Sequence, residues 1–430
     1  MNEARSWLES TKKRGMALGL KGTKSVLDRL ELTLPRHIIH VAGSNGKGTV
    51  SALMATALTL DGVKNVLFTS PHVARIEERV RRNGIPLSSQ EFDEALNRIH
   101  LAALGDEHHP TIDLTFFEVT YLVSMFSSVG SDVLILETGL GGRLDATRSG
   151  PATASLVTAV RREHIEILGS DLPSIAQEKA AISRPHCPLI IRDPENQEVR
   201  KAMLSEAMNA GNEALGEIPA PAQVHFVSIP KEASVQQEAV LLAHALFDSI
   251  GFSTESLEQA RQVLRWPARM HMLTKQETST HPFLLDAAHN PSGLRRILPE
   301  LERNISLHAP KTESGPLWTL FFGTSPQHSL AEFLSPLHEL CHRIPPKRIV
   351  LTQPHGGRYP GVEVELLAEQ PWLISPMKFA SASQAVESLR EYSEQEVGLI
   401  VSLGSLYLQG NLLNIFDWAT DENLSLCAKH

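Results

Sequence analysis

Short apolar, β-branched runs alternate along the chain with longer segments of helical period, and this alternation predicts a parallel α/β architecture. The runs at 38–42, 66–69, 133–137, 154–160 and 189–192 read as strands. Between them, 49–60, 89–103, 116–127 and 172–182 carry the apolar spacing of helices. The acidic, alanine-rich stretch 195–217 reads as helical over much of its length and runs into a proline-containing linker, Ile218-Pro219-Ala220-Pro221. A second block repeats the logic with strands at 283–285, 317–322, 348–352 and 398–402, whose ends carry Gly, Ser, Thr or Gln. Between the blocks, Trp266-Pro267-Ala268-Arg269 stops a helical pattern at its proline and reads as a hinge. The expected domains are therefore 1–267 and 268–430. The pattern shows neither a solenoid repeat nor a low-complexity tail.

Composition sharpens this picture. A chain of 430 residues is too long for one hydrophobic core, so two or three domains are expected. Apolar content of 42% and charged content of 21% are ordinary for a folded soluble protein. The formal net charge of −9 argues against general affinity for nucleic acid or anionic membrane, though not against local basic sites for anionic small molecules. Cys187, Cys341 and Cys427 are widely spaced and form no Cys-x-x-Cys pair, so neither a disulfide framework nor a thiolate zinc site is expected. The first ten residues lack a secretory pattern and no apolar run reaches membrane-spanning length. The cytoplasm is the simplest location, and a monomer the simplest state.

The segment His40-Val41-Ala42-Gly43-Ser44-Asn45-Gly46-Lys47-Gly48-Thr49 is the richest in chemistry. An apolar strand leads into three glycines, a lysine and a hydroxyl residue, and a helical pattern begins directly afterwards. In that setting backbone N–H groups and the helix dipole point at an anion. Lys47 would sit on terminal phosphates and Thr49 on Mg²⁺. The spacing departs from the standard loop: Val41 holds its first glycine position, and Gly48 separates Lys47 from Thr49. An ordinary glycine-rich turn is the alternative.

Four further features point the same way. Phe68-Thr69-Ser70-Pro71-His72 follows a strand, where open parallel sheets place ligands, although such a segment can be a simple turn. Val133-Leu134-Ile135-Leu136-Glu137 is an apolar strand ending in a carboxylate, followed by the glycine-rich Thr138-Gly139-Leu140-Gly141-Gly142-Arg143-Leu144-Asp145. A carboxylate there suits a hard cation beside phosphate; a salt bridge to Arg143 is the alternative. Arg161-Arg162-Glu163-His164 repeats the strand-end placement with an imidazole. Gln177-Glu178-Lys179-Ala180-Ala181-Ile182 sets a lysine on an apolar helix, either as an exposed charge beside Glu178 or, near magnesium, as a carbamylated ligand. In the second block, Asp286 at a strand end could hydrogen-bond a ribose hydroxyl, and Arg269 could stabilise a γ-phosphate in transfer. Either could instead form a salt bridge.

Taken together, HVAGSNGKGT, FTSPHVARIEERVRRNG, LTFFEVTYL, LILETGLGGRLDAT, EHIEILG, IAQEKAAI, RWPARM, LLDAAHNPSG, LTQPH and VSLGSLYLQG resemble the folylpolyglutamate synthase/dihydrofolate synthase family, a branch of the Mur ligases. The segments occur in the family's order over nearly the full chain. The resemblance implies a P-loop-like parallel-sheet ATPase domain followed by a smaller Rossmann-like C-terminal domain. It implies a ligase that uses ATP to phosphorylate a folate or pteroate carboxylate, the acyl phosphate then being attacked by the amine of L-glutamate.

By motif, it places Asn45, Gly46, Lys47, Gly48 and Thr49 on the triphosphate, with Arg269, Asp286, His289 and Asn290 on the nucleotide. Thr49, Ser70, Glu137 and His164 fall on magnesium, Lys47, Lys179 and His164 on catalysis, and Lys179 on the family's carbamylated lysine. Thr115, Phe116, Phe117 and Glu118, with Leu144, Asp145 and Ala146, fall on the pterin-substrate surface. ATP and Mg²⁺ are the implied cofactors, a monovalent cation a further one, and pteroate or folate and L-glutamate the small-molecule partners.

Three positions depart from the family pattern: Glu163 stands where Asp is usual, Glu238 where an adenine-contacting Asn is usual, and Glu77 where Asn is common. The related cell-wall ligases share the ATPase logic, but this chain starts almost directly with the ATPase segment and leaves no room for their UDP-binding domain.

Overall fold

The computed structural model of the chain describes residues 3–15, 19–313, 315–357 and 360–427. The outermost residues of the two expected domains, 1–2 and 428–430, lie outside the described residues. The chain separates into two compact units. The first holds the residues up to His72, Ile76–Leu264 and the tail from Ser425; the second holds Val73–Arg75 and Arg265–Leu424.

In the first unit eight strands form one sheet: β1 (His37–Ala42), β2 (Asn65–Phe68), β3 (Val80–Arg82), β4 (Ile85–Pro86), β5 (Val133–Glu137), β6 (Ala154–Val157), β7 (Pro188–Arg192) and β8 (Gln223–Val227). Their spatial order is β4-β3-β2-β5-β1-β6-β7-β8. From β2 to β8 the neighbours are parallel, and β3 and β4 turn back antiparallel at one edge. The central strands are mostly apolar and buried because both faces are covered, the usual state of a parallel sheet. The register is what matters for function. Val41 lies beside Glu137, Ala42 beside Val157 and Phe68 beside Leu136, so the carboxyl ends of β2, β5, β1 and β6 finish abreast.

The helix Lys47–Leu60 is buried on all sides from Thr49 to Leu58, which explains its lack of a polar face. Strand β6 stops at Val157, short of the expected 160. Thr158 Oγ1 donates to the Asn45 carbonyl at 2.8 Å, Ser44 N–H donates to the Ala159 carbonyl at 2.7 Å, and Asn45 bridges Ala159. Those β-branched and small residues therefore zip onto the glycine loop instead of extending the ladder. The expected helix over 195–217 is only Gln197–Ala207, because Ala210 bridges Ala220 and Gly211 turns left-handed at φ 126°. Strand β8 and the helix Val235–Ile250 escape the sequence reading, although Ser234 and Gln237 form a complete capping box, while Ser256–Val263 is the helical pattern that precedes Pro267.

The second unit has a six-stranded sheet built from β9 (His271–Leu273), β10 (Phe283–Leu285), β13 (Trp318–Phe322), β14 (Arg348–Thr352), β15 (Met377–Phe379) and β16 (Leu399–Leu403), with a small separate hairpin, β11 (Lys311–Thr312) and β12 (Gly315–Pro316). The order is β15-β14-β13-β16-β10-β9, parallel except for β9. Apolar clusters line it, one around Trp318, Leu320 and Phe322, the other around Phe283, Phe321 and Leu412. Val73 and Ala74 pack into the second cluster, and Arg75 pairs with Asp421, which is why this tripeptide belongs here rather than with its sequence neighbours.

Candidate functional site

The glycine loop joins β1 to the helix that starts at Lys47. Gly43 has φ 143°, and a Cβ on it would collide with Thr158 Oγ1, so only glycine fits. Gly46 caps the helix at φ 90°, which leaves the first-turn N–H groups free of a side-chain cap and open to an anion. Lys47 Nζ folds back onto the Gly43 carbonyl at 2.9 Å. Thr49 is buried in the first turn.

Lys179 arrives at the same carbonyl from another element. Its side chain is 1% exposed, and Nζ donates to Gly43 O at 3.1 Å and to Glu163 Oε1 at 2.7 Å. Burial lowers the Lys179 ammonium below its ordinary value, Glu163 opposing and Lys47 adding to the effect. Burial pushes the Glu163 carboxyl up, but the ammonium groups of Lys179 and Lys47 outweigh it and hold Glu163 below the usual glutamate range. Lys179 is thus not an exposed helix charge, and Glu178 beside it pairs with Arg143 at 2.7 Å, because adjacent helical residues point to different sides. The same bond, with Glu206 as a second partner, removes Arg143 from Glu137. A carbamate on Lys179 would set a second anion against Glu163, so it would form only in place of this ion pair.

Glu137 ends β5, is buried, and accepts the Ser70 N–H at 3.1 Å, which places these two expected metal ligands side by side. His164 is exposed, with φ 45°, at the start of the short helix Ile165–Leu168. Among the described residues no group of three or more His, Cys, Asp or Glu side chains could hold a metal on its own. One carboxylate with hydroxyls from Thr49 and Ser70 nonetheless suits magnesium, a hard cation that draws its remaining ligands from water and phosphate.

The expected pterin surface divides into structural and exposed parts. Thr115 and Glu118 form a capping box for the helix Phe116–Ser127, and Glu118 also accepts from Thr23 Oγ1 at 2.6 Å. Asp145 clamps its own loop: Oδ2 accepts the Gly139 and Leu140 N–H groups at 2.9 and 2.8 Å, and Oδ1 takes Thr147. Burial raises its pKa, and these bonds counter the rise. Ala146 is buried and Leu144 exposed. Phe117 packs in a tilted arrangement against Phe68 and lies close to Gly139. Phe116 is ringed by cations that the sequence gave no reason to connect, Arg79 at 5.0 Å and Lys12 at 5.2 Å from its centroid. Arg79 Nε also donates to His72 Nδ1 at 2.9 Å, and burial drives His72 down to about 3.

In the second unit, Asp286 takes the Met270 N–H at 3.0 Å and the Ala288 N–H at 2.8 Å, and burial raises its pKa against the opposing charge of Arg269. Asn290 caps the helix Pro291–His308, and His289 Nδ1 lies 2.9 Å from the Ala287 carbonyl. These residues shape one loop at the end of β10. The departures acquire local partners: Glu77 pairs with Arg5 at 2.8 Å and Glu238 with Arg192 at 2.9 Å.

No protein-family model matches the chain. A dihydrofolate synthase/folylpolyglutamate synthase of Haemophilus influenzae is 36% identical over 205 residues, 47% of this chain and 45% of that protein. The chain thus matches less than half the length of that curated relative. The Bacillus subtilis protein of the same description is 28% identical over 337 residues, covering 71% of this chain and 76% of its own. Among solved structures, Escherichia coli FolC in complex with DHPP and ADP superposes with a TM-score of 0.76 at 25% identity, over 96% of this chain and 97% of that one. In fold and in loop sequences the chain is similar to the dihydrofolate synthase/folylpolyglutamate synthases.

Proposed function

We propose that the protein is an ATP-dependent ligase that joins L-glutamate to a folate or pteroate carboxylate through an acyl phosphate, as a cytoplasmic monomer acting on small molecules. The observation that carries this reading is the convergence of Lys47 and Lys179 on the Gly43 carbonyl, at an uncapped helix N-terminus beside Glu137. Two ammonium groups and free N–H donors at one point serve a highly charged anion. The absence of a disulfide among the described residues agrees with a reducing compartment. No helix among the described residues is long and apolar enough to cross a membrane.

In this reading the N–H groups of Asn45 to Thr49 hold the phosphates and Lys47 neutralises charge as the γ-phosphoryl leaves. Thr49, Ser70, Glu137 and His164 would hold Mg²⁺, which supplies charge neutralisation at the phosphates when bound. Phe116, Phe117 and Leu144 offer apolar surface to a pterin, and Asp145 keeps the adjoining loop in shape. For the second unit the resemblance supports nucleotide contacts by Arg269, Asp286, His289 and Asn290. The two units correspond in this reading to the ATPase domain and the Rossmann-like domain.

The test is a substrate panel of reduced pteroates, folates and UDP-amino sugars, with ADP release and mass detection of products. Glutamylated pterin with ADP is expected, and Lys47→Ala should lose at least about a hundredfold in kcat/KM, the size expected for one charge-stabilising donor. Turnover only with a UDP-amino sugar, or equal ADP release by wild type and Lys47→Ala, would overturn the reading.

A further inference from the structure

A polar ring sits in the middle of the strand that leads to the glycine loop. His40 lies on β1 between Ile39 and Val41, beside Leu136 and Ser155 in the sheet, and is fully buried. Burial, with the charges of Arg184 and Arg148, holds its imidazole well below the ordinary value, so the ring is neutral and carries one N–H. Nε2 lies 2.7 Å from Thr147 Oγ1, and Nδ1 meets no hydrogen-bonding partner among the described residues.

The Thr147 hydroxyl fixes which nitrogen holds the proton. Its single hydrogen goes to Asp145 Oδ1, so Oγ1 faces His40 as an acceptor. Nε2 is then the protonated nitrogen and Nδ1 the bare one, in agreement with its lack of a partner. A chain of bonds results: His40 N–H to the Thr147 hydroxyl, that hydroxyl to the Asp145 carboxylate, and the Gly139 and Leu140 amides to its other oxygen at 2.9 and 2.8 Å. Buried bonds in series strengthen one another.

These bonds take over where the sheet ends. Thr138 N–H still reaches the Val41 carbonyl at 2.9 Å, but the next two amides turn away from β1 to Asp145. The loop they shape follows Glu137 directly, and Phe117 packs so closely on it that a Cβ at Gly139 would lie 2.8 Å from the ring. Leu144 is exposed on the same loop.

We propose that His40 is a positioning residue for the pterin side of the site. Its N–H orients the Thr147 hydroxyl, which holds Asp145 on the Gly139 and Leu140 amides and so fixes the loop beside Phe117 and Leu144. The effect on catalysis rests on the pterin-ligase reading; the chain of bonds does not.

The experiment compares His40→Gln, whose amide N–H can replace Nε2–H, with His40→Met, which fills similar space without a donor. His40→Met should raise KM for the pteroate or folate about five- to tenfold, the effect of one hydrogen bond, with kcat and KM for ATP changed less than about twofold. His40→Gln should restore KM to within about twofold of wild type. Hydrogen exchange at Gly139 and Leu140 should quicken in His40→Met and stay slow in His40→Gln. Thr147→Val against Thr147→Ser repeats the comparison one bond along, without touching β1. Wild type alone gives an independent reading. Histidine-selective ¹⁵N spectra should show one imidazole, missing from His40→Gln, with Nε2 protonated, Nδ1 bare and no titration between about pH 6 and 8. Protonation at Nδ1, equal behaviour of the two His40 variants, or unchanged exchange in His40→Met overturns the positioning role. Spectra and exchange as expected, with no turnover of any pteroate or folate by wild type, overturn the ligase reading and with it the catalytic effect.

Discussion

Behind the loop that carries Asp145 lies a buried pair of arginines whose countercharge is a single carboxylate on the linker. Arg148 is fully buried and donates to both oxygens of Glu217, Nη1 at 3.0 Å; Arg184, 4% exposed, approaches the same carboxylate at 3.1 Å. Burial and the charge of Arg148 lower Arg184 to about 9, with Glu217 opposing. Replacing Glu217 by Gln leaves two guanidinium groups in a low-dielectric setting without an anion. Breaking a buried pair costs about 3–5 kcal/mol, and the low end applies because Glu217 is about one-fifth exposed and Gln still accepts a bond. About 3 kcal/mol in a unit of this size corresponds to a fall in Tm of roughly 6–12 °C.

The assay is thermal unfolding with hydrogen exchange over 145–149 and 181–184, where protection should drop first. Adding Arg148→Met to Glu217→Gln should cost less than Arg148→Met alone, with a coupling of roughly 1 kcal/mol or more. The pH dependence carries a sign. Burial pushes Glu217 up, but Arg148 and Arg184 pull it below the ordinary 4.5, so its contribution is present above 4.5 and vanishes as pH falls through the depressed native value. The gap between wild type and Glu217→Gln should be flat from pH 8 to 5 and close below that. A Tm change under about 2 °C at pH 7, or additive double-mutant costs, would refute the claim that this carboxylate neutralises the buried pair.

Gly43→Ala forces a Cβ against Thr158 Oγ1 at a left-handed φ, a strain of roughly 1–3 kcal/mol. It should weaken binding of an ATP analogue about tenfold or more by titration, and unchanged affinity would show that the loop is not held as described. Asp145→Asn replaces an oxygen that accepts two N–H groups with one that can face only part of its donors, at a cost of about 1–3 kcal/mol. Faster hydrogen exchange at Gly139 and Leu140, with KM for the proposed pterin substrate rising more than kcat falls, is the expected outcome; full protection there would contradict the clamp.

Much of the fold was legible because its signals are local. The strand 133–137 and the helix 116–127 stand where their apolar period puts them, since a buried central strand and a capped helix are specified by neighbouring residues. The capping box at Thr115 and Glu118 is equally legible in the spacing, although only the resemblance to a family draws attention to these residues. Strand β8 was missed because its alternation QVHFV at a sheet edge resembles linker.

The sequence by itself determined the glycine loop, the carboxylate at the end of β5 and the alternation that makes two parallel sheets, all of them written in spans of a few residues. Only the tertiary structure decided which charges meet. Lys179 meets Glu163, sixteen positions away, Glu217 reaches back to Arg148, and Val73–Arg75 joins the second unit. Such partners are chosen by burial, since a charge removed from water takes whichever countercharge the packing brings near, and separation along the chain does not enter that choice.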